Sequence, residues 1–345
     1  MSAQPLAFAG AGLVTGVGLS APATCAAIRC AIDNFQETRF MDAGGEWIMG
    51  CEVPLEQPWR GTTKLVKMLA MALRECAATP PGIDLATTPI ILCLAEQDRP
   101  GLLPNLVHEV WTGIQQELDF RFQSWKVVTE GRVGFAVGLH HARKLIYGQG
   151  APRVIIAGVD SLLVGPTLTA LEQRERLLTS QTSNGFIPGE AAAAILVQAP
   201  QPSDRPQLIC TGIGFGMEQA TEDSEEPLRA DGLVKAIKAA LDDAGCDMGD
   251  LDFRITDVSG SQYQFTEAAL ALSRILRKRK EEFDIWHPAD CVGEVGAAIG
   301  GIMAAVIEAA CRKGYSKGQR ILFHVGNSDG KRAAMVCGHL LDTTG

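Results

Sequence analysis

Apolar runs separated by polar and glycine-containing stretches dominate the hydrophobic pattern of this chain. Short, mostly apolar runs predict strands that are buried on both faces. We expect such strands at 6–14, 89–94, 126–129, 153–158, 189–197, 208–215, 253–258, 320–325 and 331–337. Longer segments with helical spacing lie between them, near 104–118, 133–148, 228–244, 265–280 and 296–312. Strands that alternate with helices in this way predict an α/β fold.

The order of these segments is repeated along the chain. Each half opens with an apolar, glycine-containing strand and closes with a strand of small residues: 6–14 and 189–197 in the first, 208–215 and 331–337 in the second. Buried strands bracketed by helices predict the layer order helix–sheet–helix–sheet–helix. We expect the halves to be 1–200 and 206–345, joined by a polar, proline-containing stretch into one compact unit.

Composition narrows the possible partners and cofactors. The net charge of −9 argues against nucleic acid or an anionic membrane, because phosphate groups bind basic patches. The ten cysteines stand singly, without C-x-x-C spacing, so neither a metal site nor a cofactor is expected. Their mostly apolar surroundings are typical of reduced thiols in a cytoplasmic protein.

The sequence predicts neither a signal peptide nor a membrane span. The N-terminus shows no signal peptide. The apolar segment 295–310 is shorter than the roughly 20 residues that a membrane span needs, so we expect it to form a buried helix.

Five short segments together suggest a family. They are 11–18 (AGLVTGVG), 154–160 (VIIAGVD), 186–191 (FIPGEA), 293–300 (GEVGAAIG) and 325–330 (VGNSDG). Each is weak alone because glycine and alanine are common, but their order resembles that of the β-ketoacyl synthases, members of the thiolase-like fold. The resemblance covers most of the chain and is weakest between about 35 and 125. It implies a five-layered αβαβα fold with duplicated halves.

The resemblance also implies where a condensing-enzyme site would lie. The family uses a cysteine thiolate at a helix N-terminus, where the helix dipole lowers its pKa, and two histidines. In this chain the cysteine position falls at Glu130 or Arg132, depending on where a small gap is placed. The first histidine position falls at Ser259 and the second at Glu294. We therefore expect a degenerate synthase-like protein that lacks the Cys-His-His site.

Other residues near the position of the condensing-enzyme site could still have a function. Cys291 precedes Gly293 by two positions and is a candidate relocated nucleophile with His287 nearby, although a buried structural cysteine fits the pattern of the other nine. Glu130, Arg132 and Glu294 could form an ion-paired plug, since converging buried charges need partners. In the alternative, Glu130 or Arg132 points to solvent.

Three functions follow from the resemblance. The first is a catalytically inactive scaffold or adaptor that binds a protein partner, as degenerate relatives do beside bacterial type VI secretion effectors; segment 286–300 resembles that group. The second is a chain-length-factor-like partner of an active ketosynthase. The third is an acyltransferase or thioester hydrolase that uses Cys291 or Glu294. The partner would be an effector, a carrier protein or a ketosynthase relative, and the fold implies a homodimer through strand 124–129.

Overall fold

Strands and helices alternate along the computed structural model, which describes residues 4–80, 82–203 and 206–340. The strands are β1 (Leu6–Thr15), β2 (Gln36–Met41), β3 (Trp47–Gly50), β4 (Ile90–Cys93), β5 (Trp125–Val128), β6 (Arg153–Ser161), β7 (Glu190–Gln198), β8 (Gln207–Met217), β9 (Phe253–Thr256), β10 (Ile285–Trp286), β11 (Arg320–Gly326) and β12 (Lys331–Leu340). The α-helices are α1 (Ala21–Arg29), α2 (Gly61–Ala78), α3 (Leu106–Leu118), α4 (Gly134–Arg143), α5 (Gly165–Gln173), α6 (Asp231–Ala244), α7 (Gln262–Ile275), α8 (Ala289–Val292) and α9 (Ile299–Arg312).

The sheet repeats one strand order in its two halves. Ten strands are hydrogen-bonded in the order β10-β9-β11-β12-β8-β1-β7-β6-β4-β5. Counted outward from the centre, both halves place their first strand beside their last, followed by their fourth, second and third. Within the ten-stranded sheet, the halves are joined where β1 pairs with β8, through Leu6 opposite Cys210 and Ala7 opposite Ile209. The duplicated α/β architecture predicted from the sequence is confirmed, whereas the boundary between the halves stays a prediction.

Three apolar cores separate the layers. One lies between the two halves of the sheet and surrounds α4 and α9. A second packs α2 and α3 against the outer face of the first half, and a third packs α6 and α7 against the outer face of the second. The layers are therefore helix, sheet, helix, sheet and helix. Within the described residues, no helix has both the length and the apolar character needed to cross a membrane.

Helix α9 lies in the centre of the molecule, as its apolar sequence predicts. A Cβ atom at Gly300 would lie 2.4 Å from the Cβ of Phe135 on α4. One at Gly301 would lie 2.7 Å from the Cβ of Ala193 on β7. The two glycines let the helix approach its neighbours more closely than a larger residue would allow.

Several elements differ from the sequence prediction. The helix expected over 133–148 is α-helical only to Arg143 and continues as a π-helical turn over Lys144–Gly148. The helix expected over 265–280 begins at Gln262 and ends at Ile275, so the basic residues that follow lie beyond it. Helices α1, α2 and α5 and the small β2–β3 sheet were not predicted from the sequence pattern. The stretch between the halves includes residues 204 and 205, which lie outside the described residues.

Candidate functional site

Two matching turns face each other at the centre of the molecule, one from each half. In the first, Gly131 adopts a φ of 49° and begins a 3-10 turn that leads into α4. In the second, Gly296 adopts a φ of 51° and begins a 3-10 turn that leads into α9. Positive φ is costly for residues with a Cβ, which accounts for glycine at both positions. The turns pack against each other and bring their flanking side chains together.

Arg132 and Glu294 form the central ion pair of this site. Arg132 Nη1 donates to Glu294 Oε2 at 3.0 Å, and Ser259 Oγ donates to the same oxygen at 3.2 Å. The other carboxylate oxygen accepts from the backbone N–H of Gly296 at 3.0 Å. Asp257 Oδ2 lies 3.6 Å from Arg132 Nη1 and also accepts from Gly326 N–H. The three sequence candidates Arg132, Ser259 and Glu294 are therefore in direct contact.

Burial and neighbouring charges together raise the pKa of both members of this pair. The increase favours the charged form of Arg132 but disfavours the charged form of Glu294. Burial disfavours the charged form of Arg132, but the carboxylates of Glu294 and Asp257 outweigh it and raise the pKa of Arg132 further. Burial also raises the pKa of Glu294, and Asp257 adds to this increase while Arg132 opposes it. Two carboxylates thus share one permanent cation. The cluster supplies no thiol.

A second, partly buried ion-pair cluster supports the two glycine turns. Arg99 donates to both carboxylate oxygens of Asp160, at 2.7 and 2.8 Å, and to Glu96 at 2.6 and 3.0 Å. Asp160 in turn accepts from the N–H of Ala297 at 2.9 Å. A Cβ at Gly131 would collide with Glu96, and one at Gly296 would collide with Asp160. The cluster fits only against turns that carry glycine.

Glu130 lies outside the plug that the sequence suggested. Its carboxylate is one-third exposed and binds Lys331 Nζ at 2.6 Å. Its carbonyl oxygen accepts from Asn327 Nδ2 at 2.9 Å, and Asn327 Oδ1 accepts from the N–H of Val133 at 3.3 Å. Asn327 therefore anchors the turn, while only Arg132 and Glu294 of the three proposed plug residues meet.

A cavity of about 250 Å³ opens beside the central ion pair. Its wall combines the apolar side chains of Leu162, Leu171 and Phe186 with charged ones. Near Ser261, a surface ion-pair network joins Arg176 Nη1 to Glu222 Oε1 at 2.5 Å, and Ser261 Oγ donates to the same oxygen. Among the described residues, no group of His, Cys, Asp and Glu side chains is arranged to hold a metal ion.

Cys291 lies apart from this cavity. It belongs to α8, is buried, and does not line the cavity; its carbonyl oxygen accepts from Cys51 Sγ at 3.6 Å. Burial raises the pKa of the Cys291 thiol to about 11, and Asp290 adds to the increase. His287 Nδ1 lies 2.8 Å from a carboxylate oxygen of Asp290. The environment of Cys291 is that of a protonated structural thiol.

Comparisons with known proteins identify the architecture. No protein-family model matches the chain. The actinorhodin polyketide putative beta-ketoacyl synthase 2 of Streptomyces coelicolor is 29% identical over 149 residues, which cover 40% of this chain and 36% of that protein. Among solved structures, the AntDE:AntF complex, a type II polyketide synthase acyl-carrier protein with its ketosynthase bound to the hexaketide, aligns with a TM-score of 0.77 at 14% identity over 98% of this chain and 100% of that one.

Two further solved structures agree. The ishigamide ketosynthase/chain length factor gives a TM-score of 0.70 at 18% identity, covering 97% of this chain and 99% of that one. The ketosynthase ApeO in complex with its chain length factor ApeC, from Xenorhabdus doucetiae, gives 0.74 at 12% identity and covers 98% of both chains. The chain has the thiolase-like fold of ketosynthases and chain length factors. The fold class predicted from the sequence is confirmed, as is the likeness to ketosynthases and chain length factors, whereas the loss of the Cys-His-His site stays a prediction.

Sequence reasoning found one part of this site and missed another. Arg132, Ser259 and Glu294 were found because they lie in segments that resemble the family. The Glu96–Arg99–Asp160 cluster and Asp257 were missed, since nothing in the local sequence signals that Arg99 bonds a carboxylate 61 positions away. The glycine following Glu130 was a usable signal for a strained turn, as was the glycine following Val295.

Proposed function

We propose that this chain is a non-catalytic ketosynthase-like subunit that acts by binding another protein. The observation that carries the proposal is the ion pair between Arg132 and Glu294, with Ser259 bonded to it. These three side chains occupy positions where the resemblance places the cysteine and histidines of a condensing enzyme. Gly131, at the apex of the turn between the two possible cysteine positions, has no side chain to act as a nucleophile.

The chemistry of the central ion pair supports this proposal. Condensation requires a thiolate to accept an acyl group, and a guanidinium cation can neither attack a thioester nor accept a proton. Cys291 lies outside the cavity, and burial keeps its thiol protonated. A relocated acyltransferase or thioester hydrolase is therefore less well supported than a binding role.

A chain-length-factor-like subunit is the second candidate. Among the similar solved structures, one is a ketosynthase in complex with its chain length factor and another is an acyl-carrier protein in complex with its ketosynthase. Strand β5 ends the sheet, so its outer edge can pair with another chain. Such pairing supports either a homodimer or a heterodimer with an active relative. Loading of effectors for type VI secretion is the narrower role proposed for the homodimer.

Intact-mass spectrometry tests the loss of catalysis. The purified chain is incubated with acyl-coenzyme A and, separately, with an acylated carrier protein, beside an active ketosynthase as positive control. We expect an acyl adduct on the control and none on this chain, with no thiol released. A stoichiometric adduct that disappears in Cys291→Ala would overturn the proposal.

Co-expression separates the two partner types. The chain is produced alone and together with an active ketosynthase from the same genome, and the masses of the complexes are measured by native mass spectrometry. A heterodimer formed at the expense of the homodimer supports the chain-length-factor role. A homodimer that persists unchanged when the ketosynthase is co-expressed supports the adaptor role.

A further inference from the structure

An apolar cavity lies where strand β1 leaves strand β8. The pairing of β1 with β8 covers Leu6 and Ala7, and a bulge interrupts its pairing with β7 between Phe8 and Gly10. Helices α1 and α9 cover this part of β1. The space between them forms a cavity of about 450 Å³.

Small side chains create this space. Helix α9 contributes Ala304, Ala305 and Ala309, strand β1 contributes Ala11, and Cys25 of α1 adds a compact thiol. The volume falls within the range of about 300–1,000 Å³ that is typical of small-molecule sites. An apolar space of this size leaves its lining without packing partners, so a ligand that fills it would stabilise the folded chain.

The mouth of the cavity is charged, with an excess of cations. Three charged side chains from the end of α9 line it: Glu308, Arg312 and Lys313. Glu308 Oε1 accepts from Arg312 Nε at 2.9 Å, which neutralises that pair. Lys313 is exposed, and within the described part of the chain no carboxylate forms an ion pair with it. One cation therefore remains available beside an apolar interior.

We propose that this cavity binds a single-chain alkyl carboxylate, with the hydrocarbon chain among the alanines and the carboxylate at Lys313. The apolar lining selects the hydrocarbon chain, and the unneutralised ammonium group selects an anion over a neutral head group. The site shares no lining residue with the cavity beside Arg132 and Glu294. The proposal is thus independent of the proposed partner-binding function, and each can fail without the other.

A neutral apolar group, such as a side chain of a partner protein, is the alternative occupant. It would fill the same space but would gain nothing from Lys313. The dependence of binding on the head group therefore distinguishes the two, and the dependence on chain length reports whether the alkane enters the cavity.

Isothermal titration calorimetry on the full chain provides the test. The probes are octanoate, decanoate and dodecanoate, each below its micelle concentration, and decanol as the neutral control. Each added methylene should strengthen binding about fourfold while the cavity has room, with an increasingly negative heat-capacity change. Affinity that does not depend on chain length would overturn the proposal, and so would decanol binding as tightly as decanoate.

Two substitutions locate the site. Ala305→Leu should abolish decanoate binding by filling the cavity, and Ala309→Leu provides a second filling variant if the first folds poorly. Lys313→Ala should weaken decanoate about tenfold and leave decanol unchanged, whereas Lys235→Ala, at an exposed position on α6, should alter neither. Undiminished decanoate binding by both folded filling variants would place the ligand elsewhere and refute the assignment.

Discussion

The carboxylate of Glu294 satisfies three donors at once: the guanidinium of Arg132, the hydroxyl of Ser259 and the N–H of Gly296. Such a buried ion pair adds little net stability, because desolvation of both charges offsets their attraction. Removing one partner does lower the free energy of unfolding, because the remaining charge stays buried without full compensation. The site is therefore sensitive to single substitutions in a way that a surface pair is not.

We expect Glu294→Ala to lower the free energy of unfolding by about 3 kcal/mol, because it leaves Arg132 with only the more distant Asp257. Glu130→Ala is the matched control, since it removes a carboxylate from the turn that carries Arg132 but breaks a partly exposed pair with Lys331. The control should cost less than about 1 kcal/mol. Urea unfolding of both variants measures the difference, and equal losses would show that the central pair is not the stronger constraint.

His324 is a second residue whose burial has a measurable consequence. Its ring is completely enclosed, with Nδ1 3.2 Å from Thr256 Oγ1, and burial together with the charge of Arg254 lowers its pKa to about 3. Below pH 6.5 the unfolded chain binds a proton at this residue and the folded chain does not. Stability is therefore lost as pH falls from about 6.5 towards 3.

His324→Gln should remove this part of the pH dependence. Between pH 6.5 and 5 the histidine accounts for about 2 kcal/mol of lost stability, at ~1.4 kcal/mol per pH unit. Measured by urea unfolding at pH 7 and pH 5, the variant should lose about 2 kcal/mol less than the parent chain. His108→Gln, at an exposed position, controls for the loss of an imidazole. Identical losses in parent and His324→Gln would contradict the assignment.

At the scale of elements, the close approach of α9 to α4 leaves no room for an added methyl group at Gly300. Gly300→Ala would place a methyl group against Phe135, so helix or ring must move, at a cost of about 1–3 kcal/mol. Gly148→Ala is the control, because a Cβ there meets no atom within 4 Å. The urea midpoint should fall for the first variant and stay or rise for the second. A stable Gly300→Ala would show that the two central helices can separate without loss.

The elements predicted from the sequence are those with long apolar signals. Strands β6 and β7 and helix α9 are buried almost throughout, so their composition alone identifies them. Strand β2 (QETRFM) carries alternating, mostly exposed residues, and its pairing with β3 leaves no apolar run to detect. The site was predictable only in part for a related reason. Local motifs reveal Arg132 and Glu294, whereas the bond from Arg99 to Asp160 depends on how distant strands are placed.

At the scale of the whole molecule, strand β5 forms one end of the ten-stranded sheet. Ile90 N–H donates to Ser124 O and Leu94 N–H donates to Val128 O, so Trp125 and Val127 direct their backbone groups away from β4. Trp125 is half exposed and stacks on Trp111 with ring centres 4.3 Å apart. An outward row of hydrogen-bonding groups beside an exposed aromatic ring suits pairing between two chains.

Val127→Pro should therefore convert the dimer proposed above into a monomer while preserving the fold. Proline removes the outward N–H of residue 127 and leaves the bonds that face β4 intact. Val127→Ala keeps the N–H and should remain dimeric. Sedimentation velocity gives the association state, and circular dichroism checks folding. A folded Val127→Pro dimer would show that the chains meet through another surface.

The central position of β1 also determines when the chain can fold during synthesis. The strand ends at Thr15, but its long partner β7 starts at Glu190 and its other neighbour β8 starts at Gln207. Roughly 175 more residues must be synthesised before β1 can pair with β7 or β8. Their synthesis takes on the order of ten to thirty seconds at cellular translation rates. Throughout that interval an apolar strand is exposed on the nascent chain. The yield of folded protein should therefore depend on chaperones that bind unfolded segments at the ribosome exit.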